Sequence, residues 1–224
     1  MTSAGGLAER LAEVRGRIVG AGGDLDSITI CAVTKGHGPE VAAEAFAVGL
    51  RDLGESYAQE LLAKVDVLGA ADDPPRWHFV GRLQRNKVKA IAAHVTLWHS
   101  IDRPELGATI ARHAPGAAVL VQVATTGDEG KGGCPGAAVP RLVEGLRADG
   151  LDVRGLMTVG PTDPAQDPRP GFEAVRALAD ELALDEVSMG MSQDLELAVA
   201  AGATIVRPGT ALFGDRHVRG RSGQ

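Results

Sequence analysis

The chain has 224 residues, of which 44% are apolar and 23% charged, and its formal net charge is −6. That composition fits one globular domain with a sizeable core, and the acidic balance argues against nucleic acid or an anionic membrane as a partner. Two cysteines, Cys31 and Cys134, make no disulfide framework; an N-terminus without a signal-peptide core and the lack of a membrane-length apolar run point to the cytoplasm.

Leu7, Leu11, Val14, Ile18 and Val19 recur every three to four residues and predict an amphipathic helix over 6–20, ended by Gly20, Gly22 and Gly23. A regular alternation follows. "SITICAVT" reads as a strand, and "PEVAAEAFAVG" as a helix that opens on Pro and closes on Gly. "RDLGES" and "AQELLAKVDVLG", then "WHFVG" and "RNKVKAIAAH", repeat the strand–helix pattern. So do "VTLWHSI" with "RPELGATIARHA", and "AAVLVQVA" with "AAVPRLVEGLRAD" beyond a Gly-rich loop at 124–136. The series ends with "LDVRGLMTV" and "GFEAVRALADELA", "EVSMG" and "SQDLELAVAAG", and "ATIVRPG" with the short turn "TALFG".

The count is eight strands, most of them continuous apolar runs, as parallel strands covered on both faces should be. No GxGxxG follows the first strand, which disfavours an open dinucleotide-binding sheet. The expected fold is α/β: a single (β/α)8 TIM-type barrel over 1–224 with an extra N-terminal helix.

Such barrels place their chemistry at the C-terminal ends of the strands, and phosphate sites commonly form after strands seven and eight. Here those loops read "GMS" (Gly190, Met191, Ser192) and "GT" (Gly209, Thr210), each opening a predicted helix. Free backbone N–H groups, hydroxyls and helix N-termini suit a phosphate, although each loop taken alone is also an ordinary cap or turn. The first strand ends on Lys35. A lysine at a strand end most often reaches solvent or pairs with a carboxylate. In a crowded, partly desolvated mouth its pKa falls and it can form an imine. An imine lysine facing a phosphate site implies a phosphorylated aldehyde, either pyridoxal 5′-phosphate or a sugar-phosphate aldolase intermediate. His78 and His99 each flank a Trp and read as structural, and no cluster has metal-ligand spacing. Arg82, Arg85, Lys87 and Lys89 read as a solvated basic helix start.

"AVTK", "GESYAQE", "WHFVGRLQRNK", "HSIDR", "GLMTV" and "SMGMSQDLELAVAAGATIVRPGTALFG" occur in this order over about residues 7–214. Together they resemble the pyridoxal phosphate homeostasis protein family, which is similar to the barrel half of alanine racemases without their β domain. The resemblance implies Lys35 as the imine lysine. It implies Ser192, Gly209, Thr210 and the Met191 backbone as the phosphate holders, and Arg207 facing the pyridine nitrogen. Arginine does not readily accept a proton, so it leaves that nitrogen unprotonated and the ring a weaker electron sink. Ser56 of "GESY" stands where the family carries an asparagine against the ring. Ala124 replaces another asparagine, and Pro208 removes one N–H near the phosphate.

The resemblance implies a pyridoxal phosphate-binding protein in vitamin B6 and amino-acid homeostasis, without firm turnover. Its partners would be the cofactor and apo pyridoxal phosphate enzymes, and a small barrel of this kind is expected to be a monomer. The alternative is a racemase-like enzyme, which needs a second acid/base group; Tyr57, the only tyrosine, is expected to pack at its helix start. A cofactor-free aldolase would need a partner for Lys35, for which Lys131 is a weak candidate.

Overall fold

The apolar run at 29–33 forms two short strands, β1 (Thr29–Ile30) and β2 (Ala32–Val33), separated by Cys31 alone. In the computed structural model, which describes residues 4–69, 73–128 and 130–214, these are successive halves of one stave. β2 pairs in parallel with β3 (Asp52–Glu55), β3 with β4 (Arg76–Phe79), and β4 with β5 (Val95–Ile101). The sheet continues through β6 (Ala118–Ala124), β8 (Asp152–Met157), β9 (Glu186–Ser188) and β10 (Ile205–Val206), which pairs with β1. The sheet therefore returns to its own first stave and closes into the expected eight-stave parallel barrel. Cys31 N donates to Val206 O at 2.9 Å and Val33 N to Pro208 O at 2.9 Å, so the seam is hydrogen-bonded along its length.

Helices alternate with the strands: α2 (Pro39–Ala47), α3 (Ala58–Leu68), α4 (Arg85–Ile91), α5 (Pro104–His113), α6 (Val139–Ala148), α7 (Arg169–Glu181), α8 (Leu195–Ala200) and the single turn α9 (Thr210–Phe213). Prolines in the first turns of α2, α5, α6 and α7 start these helices where their missing N–H has no cost. The front helix α1 (Ala4–Gly20) buries Leu7, Leu11, Val14 and Ile18 as one stripe. A further two-residue strand, β7 (Cys134–Pro135), pairs with β6 inside the stretch expected to be a loop. Among the described residues no helix is long and apolar enough to cross a membrane.

The core has two layers. The larger lies between strands and helices; a smaller one, including Cys31, Leu97, Leu120, Met157 and Ile205, fills the barrel itself. Parallel strands buried on both faces explain why they read as continuous apolar runs.

One boundary beside the site differs from the sequence reading. α8 begins at Leu195, not Ser192, because the Met191 amide donates to Asp194 Oδ1 at 2.5 Å and closes a turn ahead of the helix. Ser192 is thus not at a helix N-terminus. β5 spans the whole of "VTLWHSI" as read, with His99 and Ser100 buried within it.

Candidate cofactor site

Lys35 sits at the second position of a turn in which His37 N donates to Thr34 O at 3.1 Å. Gly36 takes the third position with φ +78, a left-handed conformation that glycine adopts without strain. The chain leaves the barrel abruptly here, which is why a buried strand ends on a lysine. The root of the turn is fixed from inside. Lys64 Nζ donates to Thr34 O at 2.8 Å and pairs with Glu55, and Thr34 Oγ1 donates to Glu55 Oε1 at 2.5 Å. Lys64 and Glu55 are both buried, and their pairing escaped the sequence reading. Burial pushes the Glu55 carboxyl above the usual range, with Lys64 opposing it.

A cavity of about 330 Å³ opens at the C-terminal ends of the strands. Lys35, Ser56, Met191, Ser192, Arg207, Gly209 and Thr210 all line it. All seven positions singled out from sequence are therefore brought together. Ala124 and Lys131 are not: Ala124 lines a separate cavity, and Lys131 donates to Gly160 O at 2.5 Å and pairs with Asp128 at 2.5 Å.

At the Ser192 end, Gly209 N (3.2 Å) and Ala211 N (2.9 Å) converge on Ser192 Oγ. In this structure Ser192 Oγ fills the point where the two N–H groups meet; a phosphate oxygen in its place would find the same two donors, an anion cradle. The Met191 amide is committed to Asp194 and is not part of that convergence. Gly209 also packs close to strand β2, since a Cβ there would lie 3.3 Å from Val33 O. His37 and Phe213 stack obliquely with centroids 5.8 Å apart, tying the Lys35 turn to α9.

Arg207 follows β10 and is 4% exposed. Its Nη1 donates to Ser188 Oγ at 2.6 Å and its Nη2 to Thr158 O at 2.7 Å, and its backbone N to Gly190 O at 2.8 Å. Burial lowers its pKa to about 10, with Cys31 and Asp194 opposing the shift. The guanidinium stays charged at neutral pH, held by two neutral oxygens.

Beside this cavity lies a larger groove of about 700 Å³, which shares Lys35, Ser56 and Val80 with it. Arg82, Lys87 and Arg103 line the groove, as does Tyr57, which is 54% exposed. Gly81 is required at its floor: a Cβ there would fall 2.4 Å from Ser56 O.

His78 and His99 are not isolated. His78 Nδ1 lies 2.9 Å from His99 Nε2, His78 Nε2 3.0 Å from Asp52 Oδ1, and His99 Nδ1 2.9 Å from Ser188 Oγ. The period-two alternation of Trp77, His78 and Phe79 in β4, which sends His78 to the barrel interior, was the available signal.

A parallel barrel with a lysine after its first stave, an anion cradle after its last two and a buried arginine between them in sequence defines a class: barrels of the alanine racemase type. The sequence profile of the alanine racemase N-terminal domain matches residues 9–217. The pyridoxal phosphate homeostasis protein of Pseudomonas aeruginosa is 40% identical over 222 residues, covering 94% of this chain and 96% of that one. Its counterpart in Aquifex aeolicus is 41% identical over 224 residues, covering 93% and 97%. PipY of Synechococcus elongatus, solved without pyridoxal phosphate, superposes with a TM-score of 0.84 at 35% identity over 93% of this chain and all of that one. The form of PipY solved with pyridoxal phosphate bound gives a TM-score of 0.80. The chain belongs to the pyridoxal phosphate homeostasis protein family.

Proposed function

We propose that this chain binds pyridoxal 5′-phosphate through Lys35 and acts in vitamin B6 and amino-acid homeostasis as a carrier without turnover of its own. The observation that carries this reading is that one cavity holds a lysine amine, an anion cradle and a buried guanidinium. That donor set fits the aldehyde, the phosphate and the ring nitrogen of the cofactor in turn. When bound, the cofactor supplies an aldehyde that condenses with a primary amine, forming a C=N bond and releasing the aldehyde oxygen as water.

Lys35 is the amine in this reading. Ser192 Oγ and the amides of Gly209, Thr210 and Ala211 hold the phosphate, with Met191 as a wall of the cavity. Ser56 packs beside the ring, and Arg207 faces the ring nitrogen, where a guanidinium donates but does not accept a proton. Of the described residues lining the cavity, Asp194 is the one carboxylate, and the Met191 amide engages it. The one carboxylate described in the cavity wall is thus already engaged, which favours a carrier over a two-base racemase. A monomer that delivers the cofactor to apo-enzymes completes the reading.

The test is the visible spectrum of the purified protein with added cofactor, beside Lys35→Ala. The reading expects an absorption band that survives gel filtration in the parent and is absent from the variant, with no racemisation of amino acids. A parent without the band, or a variant that keeps it, overturns the assignment; substrate-dependent turnover returns the racemase.

A further inference from the structure

The interiors of such barrels are normally filled by layers of branched apolar side chains. This one carries a polar chain along its axis. Arg207 Nη1 donates to Ser188 Oγ (2.6 Å), which meets His99 Nδ1 (2.9 Å); His99 Nε2 meets His78 Nδ1 (2.9 Å), and His78 Nε2 meets Asp52 Oδ1 (3.0 Å). Every residue in it is buried: Ser188 and His99 at 0%, Arg207 and His78 at 4%, Asp52 at 8%. Polar groups so placed cost folding free energy unless each is bonded, and here each is bonded to the next.

The two ends of the chain differ. Arg207 lines the cofactor cavity; Asp52 and His78 line a separate cavity of about 420 Å³ at the N-terminal ends of the strands, with Arg76, Arg154 and Glu186. Among the described residues Arg207 makes no ion pair, so the anion to which its hydrogen bonds lead is Asp52, at the opposite mouth. Arg76 grips that carboxylate with two bonds, Nε to Oδ1 at 2.7 Å and Nη2 to Oδ2 at 2.5 Å.

We propose that Ser188, His99, His78 and Asp52 are positioning residues for Arg207, and that their chain couples the guanidinium to the far mouth of the barrel. The inference rests on the reading of Arg207 as the residue facing the ring nitrogen.

The proton arrangement follows from the surroundings. His78 faces Cys31, Asp52, His99 and, more distantly, Glu186; burial opposes its charge, but Cys31 and Asp52 outweigh burial and raise its pKa to about 10. His99 faces His78, Ser188 and Arg207; burial, His78 and Arg207 all hold its pKa well below the usual histidine value. A charged His78 then donates to Asp52 and to His99 Nε2, and neutral His99 donates from Nδ1 to Ser188 Oγ. The Ser188 oxygen accepts from His99 and Arg207 together. On this proposal, removing the Asp52 charge releases the extra proton from His78, Cys31 alone not offsetting burial. Neutral His78 keeps its proton on Nε2, His99 moves its own to Nε2, and Ser188 turns to donate to His99. One charge at the far mouth thus sets what Arg207 meets at the cofactor.

Two measurements test this, one without cofactor. In the cofactor-free protein, nitrogen NMR of the histidines is expected to show His99 protonated on Nδ1 in the parent and on Nε2 in Asp52→Asn, two side chains away. The same tautomer in both, or a His99 that titrates like a free histidine, overturns the coupling. In the cofactor-loaded protein, Ser188→Ala is expected to weaken cofactor binding about tenfold, the size of one lost charge-assisted hydrogen bond. His99→Asn, whose amide can keep the Ser188 contact, is expected to bind near the parent affinity, and His99→Ala is expected to lose as much as Ser188→Ala. Equal affinities in Ser188→Ala, His99→Ala and the parent, with each variant folded by circular dichroism, overturn the positioning role. A parent that takes up no cofactor overturns the reading beneath it, a result distinct from a parent that binds and variants that bind equally well.

Discussion

Lys64 and Glu55 form an ion pair inside the barrel wall, with side chains 1% and 0% exposed, and the same Lys64 amine holds the carbonyl of Thr34 next to Lys35. Glu55 Oε2 has no partner among the described residues, so this pair is not a fully satisfied network. Breaking a buried pair from one side leaves a charge with nothing to meet it. Lys64→Met is therefore expected to destabilise the fold by about 3–5 kcal/mol, whereas Glu55→Leu with Lys64→Met recovers most of that loss. Urea unfolding midpoints of the parent and the two variants decide it; a Lys64→Met protein as stable as the parent rules the arrangement out.

The cradle at Ser192 makes a separate prediction. Ser192→Ala removes the hydroxyl on which the Gly209 and Ala211 amides converge. It is expected to weaken cofactor binding about 10- to 100-fold, through loss of one or two bonds to a charged oxygen. Inorganic phosphate should compete with the cofactor in the parent and far less in the variant. Equal competition in both would place the phosphate elsewhere.

Asp52 gives the molecule an acid-sensitive contribution. Burial raises its pKa, but hydrogen bonds from Arg76 and His78 outweigh burial and bring it to about 2, below the ordinary value of 3.8. A carboxylate with a depressed folded pKa stabilises the fold above its unfolded pKa and loses that contribution as pH falls toward the folded one. The contribution is on the order of 1–2 kcal/mol once partial solvent access is allowed for. The stability difference between parent and Asp52→Asn should accordingly shrink between about pH 4 and pH 2. A difference that stays constant over that window would contradict the low pKa.

Gly81→Ala should be disproportionately harmful for so small a change. The added methyl would lie 2.4 Å from Ser56 O and 2.6 Å from Ser56 Cα, both backbone atoms with little room to move. A loss of about 1–3 kcal/mol is expected from such overpacking. Because the shift falls on Ser56, cofactor affinity should drop with stability. Thermal melts with and without cofactor read both effects, and an undisturbed melting temperature would show that the loop gives way freely.

The fold was legible because parallel staves covered on both faces read as apolar runs with helices between, and the seven site positions fell on loops at one end of those staves. What was not legible depended on side chains meeting across staves. Lys64 looks like one more polar residue of a surface helix, and only the closed wall shows that it turns inward to Glu55. His78 and His99 are 21 residues apart, and nothing in either neighbourhood announces a contact at 2.9 Å. The start of α8 was misplaced for a local reason: Asp194 captures the Met191 amide, a competition between side chain and helix that favourable helix residues alone do not reveal.

The front helix α1 has a consequence for the order of folding. Arg17 donates to Ser192 O at 2.8 Å and pairs with Glu196 at 2.6 Å, while Arg10 donates to Leu212 O at 2.5 Å, across 175, 179 and 202 residues of chain. Helix α1 thus clasps the turn and helix that follow β9 and the helical turn that follows β10. Contacts so distant in sequence form late, since the intervening chain must be ordered first. Refolding from denaturant is expected to recover helical signal before the ability to capture cofactor. On that order the helices are expected to form before the cavity they enclose is closed.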